Sequence, residues 1–530
     1  MTVEKIMTTQ VLQRGKVLLS ATVGLLLPLA TALGATPVDR QDCAGNANPD
    51  QRMAACTRVV DDMTETAVNR AAAFIGRASV YFNRKDYDHA IPDYSEAIQL
   101  DPKNARAFNS RGNSYLAKHD PDRAIADFSE AINLDPKFAA PRYNRGLAYR
   151  GKKDYERAIA EYDEAIKLDG KYLLAYKERG SAWYERKDYD RAIADYNEAI
   201  TLNAKDAWTL AHRCQAYVAK NDYGRAIADC SEAISLDPKY GWAYNNRSAA
   251  YFSKLDYDDA IADADAAIKV NLQDSWAHVR LGMAVTAKGD FSRGLAELTE
   301  AIRLDPKYAY AYAQRGQTYF QQRLIMRKGD WDLAIADYSE AIRLDPKPLW
   351  VYSSRGVAYN NKGDYDSALP DCGEVIRLEP KNTDGWNCRG TAYSGKKDFG
   401  RAIADFDEAI KLDPKNVAAR WNRGNAYRDQ GTLDRAIDDY SEAINIRPTY
   451  FLAFNSRGKV YSTKRDYDRA IADFSAAVQL DPLYVEAYDN RGLAYKAQGR
   501  KAEAIADFHK AQSLDPSDRT SREQLKALGA

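Results

Sequence analysis

The chain has 530 residues, and its 76 Lys and Arg balance 76 Asp and Glu, so the formal charge at pH 7 is zero. That balance argues against a polyanion binder held by bulk charge. A mean hydropathy of −0.59 argues against both a multi-span membrane protein and a disordered chain. Five His and six Cys, all scattered, make a poor start for a metal enzyme.

Residues 1–35 read as a signal peptide. Arg14 and Lys16 flank an apolar run from Val17 to Ala30, and small residues around Ala30–Ala32 and Ala32–Gly34 follow as cleavage sites. The alternative is an uncleaved segment anchored in the inner membrane. Against it, the run is shorter than the ~20 residues a span needs, and Pro28 interrupts it. Asp42 before Cys43 leaves no small-residue box for lipidation. A cleaved chain would be periplasmic or secreted, where disulfides persist. Residues 36–70 read as an N-terminal capping segment. Asn48-Pro49 opens one helix in it, with Met53, Cys56, Val60 and Met63 along one face.

From 71 to 518 one unit repeats thirteen times. Twelve copies have 34 residues, and the eighth has 40 through an insertion around Arg323–Lys328. Position 8 is always small: Gly in ten units, otherwise Ala78, Cys214 or Ser248. Positions 20 and 27 are Ala in all but one unit each (Gly294 and Val375). Position 11 is Tyr in eleven units, and position 24 is aromatic in nine. The spacings predict two helix faces, packed closely through the small residues, with a turn between them. Pro at position 32 in ten units closes the second helix. Such a hairpin buries only half its apolar surface alone and must stack on a neighbour. Residues 519–530 read as a C-terminal capping helix, Leu525 and Leu528 inward and Gly529 stopping it.

The period and the small and aromatic positions resemble the tetratricopeptide repeat (TPR) family, of a secreted or periplasmic bacterial type. The resemblance covers thirteen units and implies an all-α, right-handed superhelical solenoid whose first helices line a concave groove. It also implies protein or peptide binding rather than chemistry. One departure stands out. Where the family has a large apolar residue, position 7 is Arg in twelve units, and position 23 is acidic in all thirteen. An antiparallel hairpin brings these positions together, which predicts an Arg–carboxylate ladder that fixes register. Leu281 opposite Glu297 breaks it in the seventh unit.

The cysteines pair by position. Cys214 and Cys230 face each other across the fifth hairpin, Cys372 and Cys388 fall on stacked helices, and Cys43 and Cys56 both precede the repeats. Three local disulfides fit an oxidising compartment. The alternative is buried free thiols standing in for the core ring.

The resemblance places positions 2, 5, 6, 9, 12 and 13 on the groove. Position 2 supplies Trp208, Trp242, Trp276, Tyr310 and Trp350, and its neighbours include His212, Asn245, Asn246, Arg280, Gln314 and Gln317. Asn360, Asn387, Asn422, Asn425, Asn455 and Asn490 continue the amide series. Exposed Trp anchors interfaces, and Asn can pair with both N–H and C=O of an extended peptide. A second reading stands beside this one. The four units with Trp at position 2 are those without the ring at position 24, so the Trp residues would replace core volume. Tyr310 escapes that correlation, because its unit keeps Tyr338. The insertion, with Arg323, Arg327 and Lys328, reads as a solvated or basic contact loop.

The expected function is an extracytoplasmic scaffold for a protein or extended peptide partner, with an accessory arm that presents substrate to a separate catalytic subunit as the alternative. No cofactor, metal, nucleic acid or mature membrane span is expected. Catalysis has no room outside the repeats, and His89, His119, His212, His278 and His509 form neither a triad nor an HExxH pattern.

Overall fold

The computed structural model describes residues 34–45, 48–326 and 331–530. The apolar run of the signal-peptide reading lies outside these residues, as do Arg327 and Lys328 of the insertion. Two compact units divide the chain, Met1–Leu202 and Asn203–Ala530.

The first unit contains α1 (Pro37–Ala44), α2 (Pro49–Asp61), α3 (Ala67–Asn83), α4 (Tyr87–Leu100), α5 (Ala105–Ala117), α6 (Pro121–Leu134), α7 (Ala139–Gly151), α8 (Tyr155–Leu168), α9 (Leu173–Glu185) and α10 (Tyr189–Leu202). The second unit begins with α11 (Ala207–Ala219), α12 (Tyr223–Leu236), α13 (Gly241–Ser253), α14 (Tyr257–Val270), α15 (Ser275–Ala287), α16 (Phe291–Leu304), α17 (Ala309–Met326) and α18 (Trp331–Leu344). It continues with α19 (Leu349–Lys362), α20 (Tyr365–Leu378), α21 (Thr383–Gly395), α22 (Phe399–Leu412), α23 (Val417–Gln430), α24 (Leu433–Ile446), α25 (Phe451–Thr463), α26 (Tyr467–Leu480), α27 (Val485–Ala497), α28 (Lys501–Leu514) and α29 (Arg519–Leu528). The described residues contain helices and no strand. Within each unit the helices form hairpins, and each hairpin stacks on the next in chain order.

The local chemistry repeats with the sequence. In most hairpins the second helix opens on an Asp whose carboxylate accepts the N–H three residues on, as Asp154 does from Arg157 at 3.1 Å and Asp398 from Arg401 at 3.2 Å. The turn before it is left-handed, at Lys187 with φ 62° or Gly363 with φ 86°. The close approach of the two helices is tight: a Cβ on Gly146 would sit 2.5 Å from Tyr162 Cε1, and one on Gly112 would sit 2.6 Å from Phe128 Cε1. The small residue at position 8 is therefore the seat of the ring at position 24.

The twelve arginines at position 7 all reach the carboxylate at position 23. Most of the pairs are bidentate, for example Arg355 Nε to Asp371 Oδ2 and Nη2 to Oδ1, both 2.7 Å. The hydrogen bond to that carboxylate holds guanidiniums such as Arg247 above their ordinary range. The third nitrogen does something the position pattern did not announce. Arg355 Nη1 donates to Ser339 Oγ of the preceding hairpin at 2.9 Å, and Arg247 does the same to Ser231 at 2.9 Å. One side chain thus closes its own hairpin and clasps the neighbour. In the seventh hairpin Leu281 is buried beside Ala264 and Val285, and Glu297 is met instead by His278, Nδ1 to Oε2 at 2.8 Å.

The ends differ from expectation in detail. Two helices, α1 and α2, precede the repeats, and the buried face of α2 is Ala55, Cys56, Val59 and Val60. Met63 lies beyond α2 and is 76% exposed. At the other end Leu525 is buried against Ala504 and Phe508, with Leu528 half-buried beside them. Gly529 ends α29 at φ 71°. The insertion is helical where it is described: it lengthens α17 to 18 residues, with Arg323 over the Trp331 ring.

A candidate binding recess on the first helices

Position 2 behaves in two ways. On α11, α13 and α15 the rings stack on each other. Trp208 lies on His212 with centroids 3.6 Å apart, His212 faces Trp242 at 6.1 Å, and Trp242 faces Trp276 at 5.5 Å. Arg280 closes the stack over Trp276 at 5.0 Å. These side chains are half-buried and spend much of their contact surface on one another. The places that lack a ring at position 24 hold other groups. Cys230 is bonded to Cys214 and Cys372 to Cys388. Ala264 packs against Leu281 and Val285, and Leu298 against Val279 and Ala301.

The two asparagines of α13 were expected at the groove surface. Asn245 and Asn246 are instead buried, Asn245 donating to Asp274 Oδ2 and Asn246 to the Trp242 carbonyl, both at 2.8 Å. His212 Nδ1 lies 2.8 Å from the Trp208 carbonyl. Tyr310 packs against the cluster of Val279, Leu298 and Ala301, with its hydroxyl 3.6 Å from Met283 Sδ. Gln314 and Gln317 border a small cavity of about 80 Å³, and Gln317 Oε1 accepts from the Tyr338 hydroxyl at 2.9 Å.

Trp350 is different: it is 38% exposed and borders open space. A cavity of about 560 Å³ runs beside Trp350, Ser353, Glu379 and Asp384. A second, of about 420 Å³, is bordered by Ser353, Asn360, Asp384, Asn387, Trp421 and Asn422. They share Ser353 and Asp384 and so form one recess across α19, α21 and α23. Its lining falls largely on the position set that the resemblance assigned to the groove. Ser353, Asp384, Thr391 and Trp421 were not singled out from sequence, although each occupies one of those positions.

The amides in this recess are half spent. Asn422 Nδ2 donates to Asn387 Oδ1 at 2.9 Å, a bond repeated by Asn144 with Asn109 and by Asn490 with Asn455. Asn360 Nδ2 donates to the Cys388 carbonyl at 3.0 Å, while its Oδ1 is buried without a partner. Cys388 borders the recess and is bonded to Cys372, so a covalent link ties α20 to α21 at its edge. The remaining disulfides join Cys43 to Cys56 and Cys214 to Cys230, with Cα atoms 4.8 and 5.6 Å apart. No described helix is long and apolar enough to cross a membrane. No group of three or more His, Cys, Asp or Glu among the described residues is arranged to hold a metal ion.

Stacked helical hairpins with an open, polar recess on their first helices define a repeat scaffold for protein–protein interaction. Comparison with family models agrees. One tetratricopeptide repeat model matches residues 109–172, 143–207, 247–309, 389–450 and 455–519. A TPR repeat model matches 78–119 and 324–363, and a further tetratricopeptide repeat model matches 213–240 and 351–382. The chain belongs to the tetratricopeptide repeat family.

A search of curated proteins found no match. Among solved structures, the chain is similar to the APC/C hetero-tetramer Cut9–Hcn1, at 15% identity over 87% of this chain and 96% of that one, with a TM-score of 0.49. It is similar to a tetratricopeptide repeat protein from Parabacteroides merdae, at 23% identity over 49% and 100%, with a TM-score of 0.41. It is also similar to YrrB, described as a TPR protein with an unusual peptide-binding site, at 21% identity over 37% and 97%, with a TM-score of 0.31.

Proposed function

We propose that the chain is an extracytoplasmic scaffold that grips an extended protein segment in the recess of α19, α21 and α23. The observation that carries this reading is the Asn387–Asn422 pair. Each amide spends one group on the other, so Nδ2 of Asn387 and Oδ1 of Asn422 remain for one backbone C=O and one N–H. The exposed Trp350 ring adds apolar contact, and Asp384 at the junction of the two cavities adds an acceptor. The Cys372–Cys388 link, formed in an oxidising compartment, fixes α21, one wall of the recess, to α20 before a partner arrives. In this reading the chain binds and does not catalyse.

Display of random peptides against the full mature chain tests it. Selected peptides should lose roughly tenfold or more in affinity, about 1.4 kcal/mol, to Trp350→Ala and to the double change N387A/N422A, with thermal unfolding little altered. Equal affinity for both variants would reject the recess. Cell fractionation with N-terminal sequencing tests the location: the protein should be outside the cytoplasm and begin after the apolar run.

A further inference from the structure

In two hairpins the side chain at position 5 hydrogen-bonds the residue just before the next first helix. In the sixth hairpin Asn245 donates to Asp274 Oδ2 at 2.8 Å, and Asp274 caps α15 by accepting from Trp276 and Ala277 N–H. In the twelfth, Asn455 donates to the Tyr484 hydroxyl at 3.1 Å. In both hairpins the position-5 side chain is the donor.

In the last hairpin the same two places hold Asp489 and Asp518. Asp518 caps α29, accepting from Ser521 N–H at 2.6 Å. Asp489 is 6% exposed, and its Oδ1 has no partner. Two carboxylates therefore stand where an amide and a carboxylate stand seven hairpins earlier. A carboxyl group can donate only when protonated.

We propose that Asp489 carries a proton donated to the Asp518 carboxylate, and that this proton latches the capping helix α29 onto the last hairpin. The surroundings favour it. Burial first, then the Asp518 carboxylate and Glu486, push Asp489 up to about 7. Cations on the adjoining segments have other partners: Lys459 of α25 pairs with Glu486, Arg491 of α27 with Asp507, Arg519 with Glu523, and Arg522 donates to the Pro516 carbonyl. Loss of the proton leaves two facing carboxylates, and α29 lets go. Opening uncovers Ala504 and Phe508, the apolar surface that Leu525 covers.

The sign follows from linkage. The docked state holds the proton more tightly than the open one, so docking is strongest at low pH and weakens as pH rises toward 7. Hydrogen exchange on the full mature chain, corrected for the intrinsic rate, reads this directly. The opening constant of residues 519–528 should rise by up to tenfold per pH unit between pH 5 and 7 and level off above, while α13 shows no such rise. Asp489→Asn restores the Asn245 arrangement and should give a flat, more protected profile. Asp518→Asn keeps a good helix cap and should flatten it too. A flat wild-type profile, or a pH rise retained in either variant, would overturn the latch.

Discussion

At every hairpin turn among the described residues the backbone goes left-handed whatever residue stands there. Lys85, His119, Asn221, Leu255 and Arg465 all adopt φ near 60–66°, where four sister hairpins use Gly. A Cβ in that region costs roughly 1–2 kcal/mol, partly offset by the extra freedom glycine has when unfolded. Leu255, 71% exposed, is the cleanest case. Leu255→Gly should raise stability by about 0.5–1 kcal/mol in denaturant unfolding. His278 is the second residue-scale case. Its hydrogen bond to Glu297, helped by Glu300 nearby, raises it above the ordinary histidine value. That stabilisation is whole below about pH 6.5 and is lost as pH climbs through the raised value. Exchange protection of α15 and α16 should fall with rising pH across that window, and His278→Asn should remove the trend.

At the scale of the hairpin, three devices recur: the small residue under a ring, the Arg–carboxylate pair, and the clasp onto the previous hairpin. Gly146→Ala forces a methyl into the face of Tyr162 and should cost roughly 1–3 kcal/mol as overpacking. Arg355→Ala strands the buried Asp371 carboxylate and frees Ser339, and a loss of roughly 3–5 kcal/mol in denaturant unfolding is expected. The Cys214–Cys230 bond occupies the places that Gly and a ring occupy in most sister units. Cys214→Gly combined with Cys230→Phe should therefore fold and keep its melting temperature in reducing agent, whereas the parent melts lower once reduced.

Across the whole molecule, successive hairpins are also bridged at the surface by Lys–Asp pairs thirty residues apart, such as Lys118 with Asp88 and Lys396 with Asp366. Both partners are exposed, so each contributes little and is screened by salt. Raising sodium chloride to 1 M should move the melting temperature by only a few degrees, because the ladder arginines and the packed rings are shielded from it.

The hairpins, their turns, the seating of rings on small residues and the arginine ladder were legible in the residue order alone, whereas the cysteines were candidate pairs, with free thiols as the alternative, until the packed hairpins joined them. The former are contacts within one hairpin or between adjacent ones, repeated often enough that position alone pairs them. The tertiary structure decided which polar and aromatic groups remain open. Trp242 and Trp350 share a position, yet one is stacked between neighbours and the other borders a cavity; Asn245 and Asn387 share another, yet one is buried on Asp274 and the other borders the recess. The difference depends on which side chain the next hairpin presents some thirty residues on, and only the packed stack sets that.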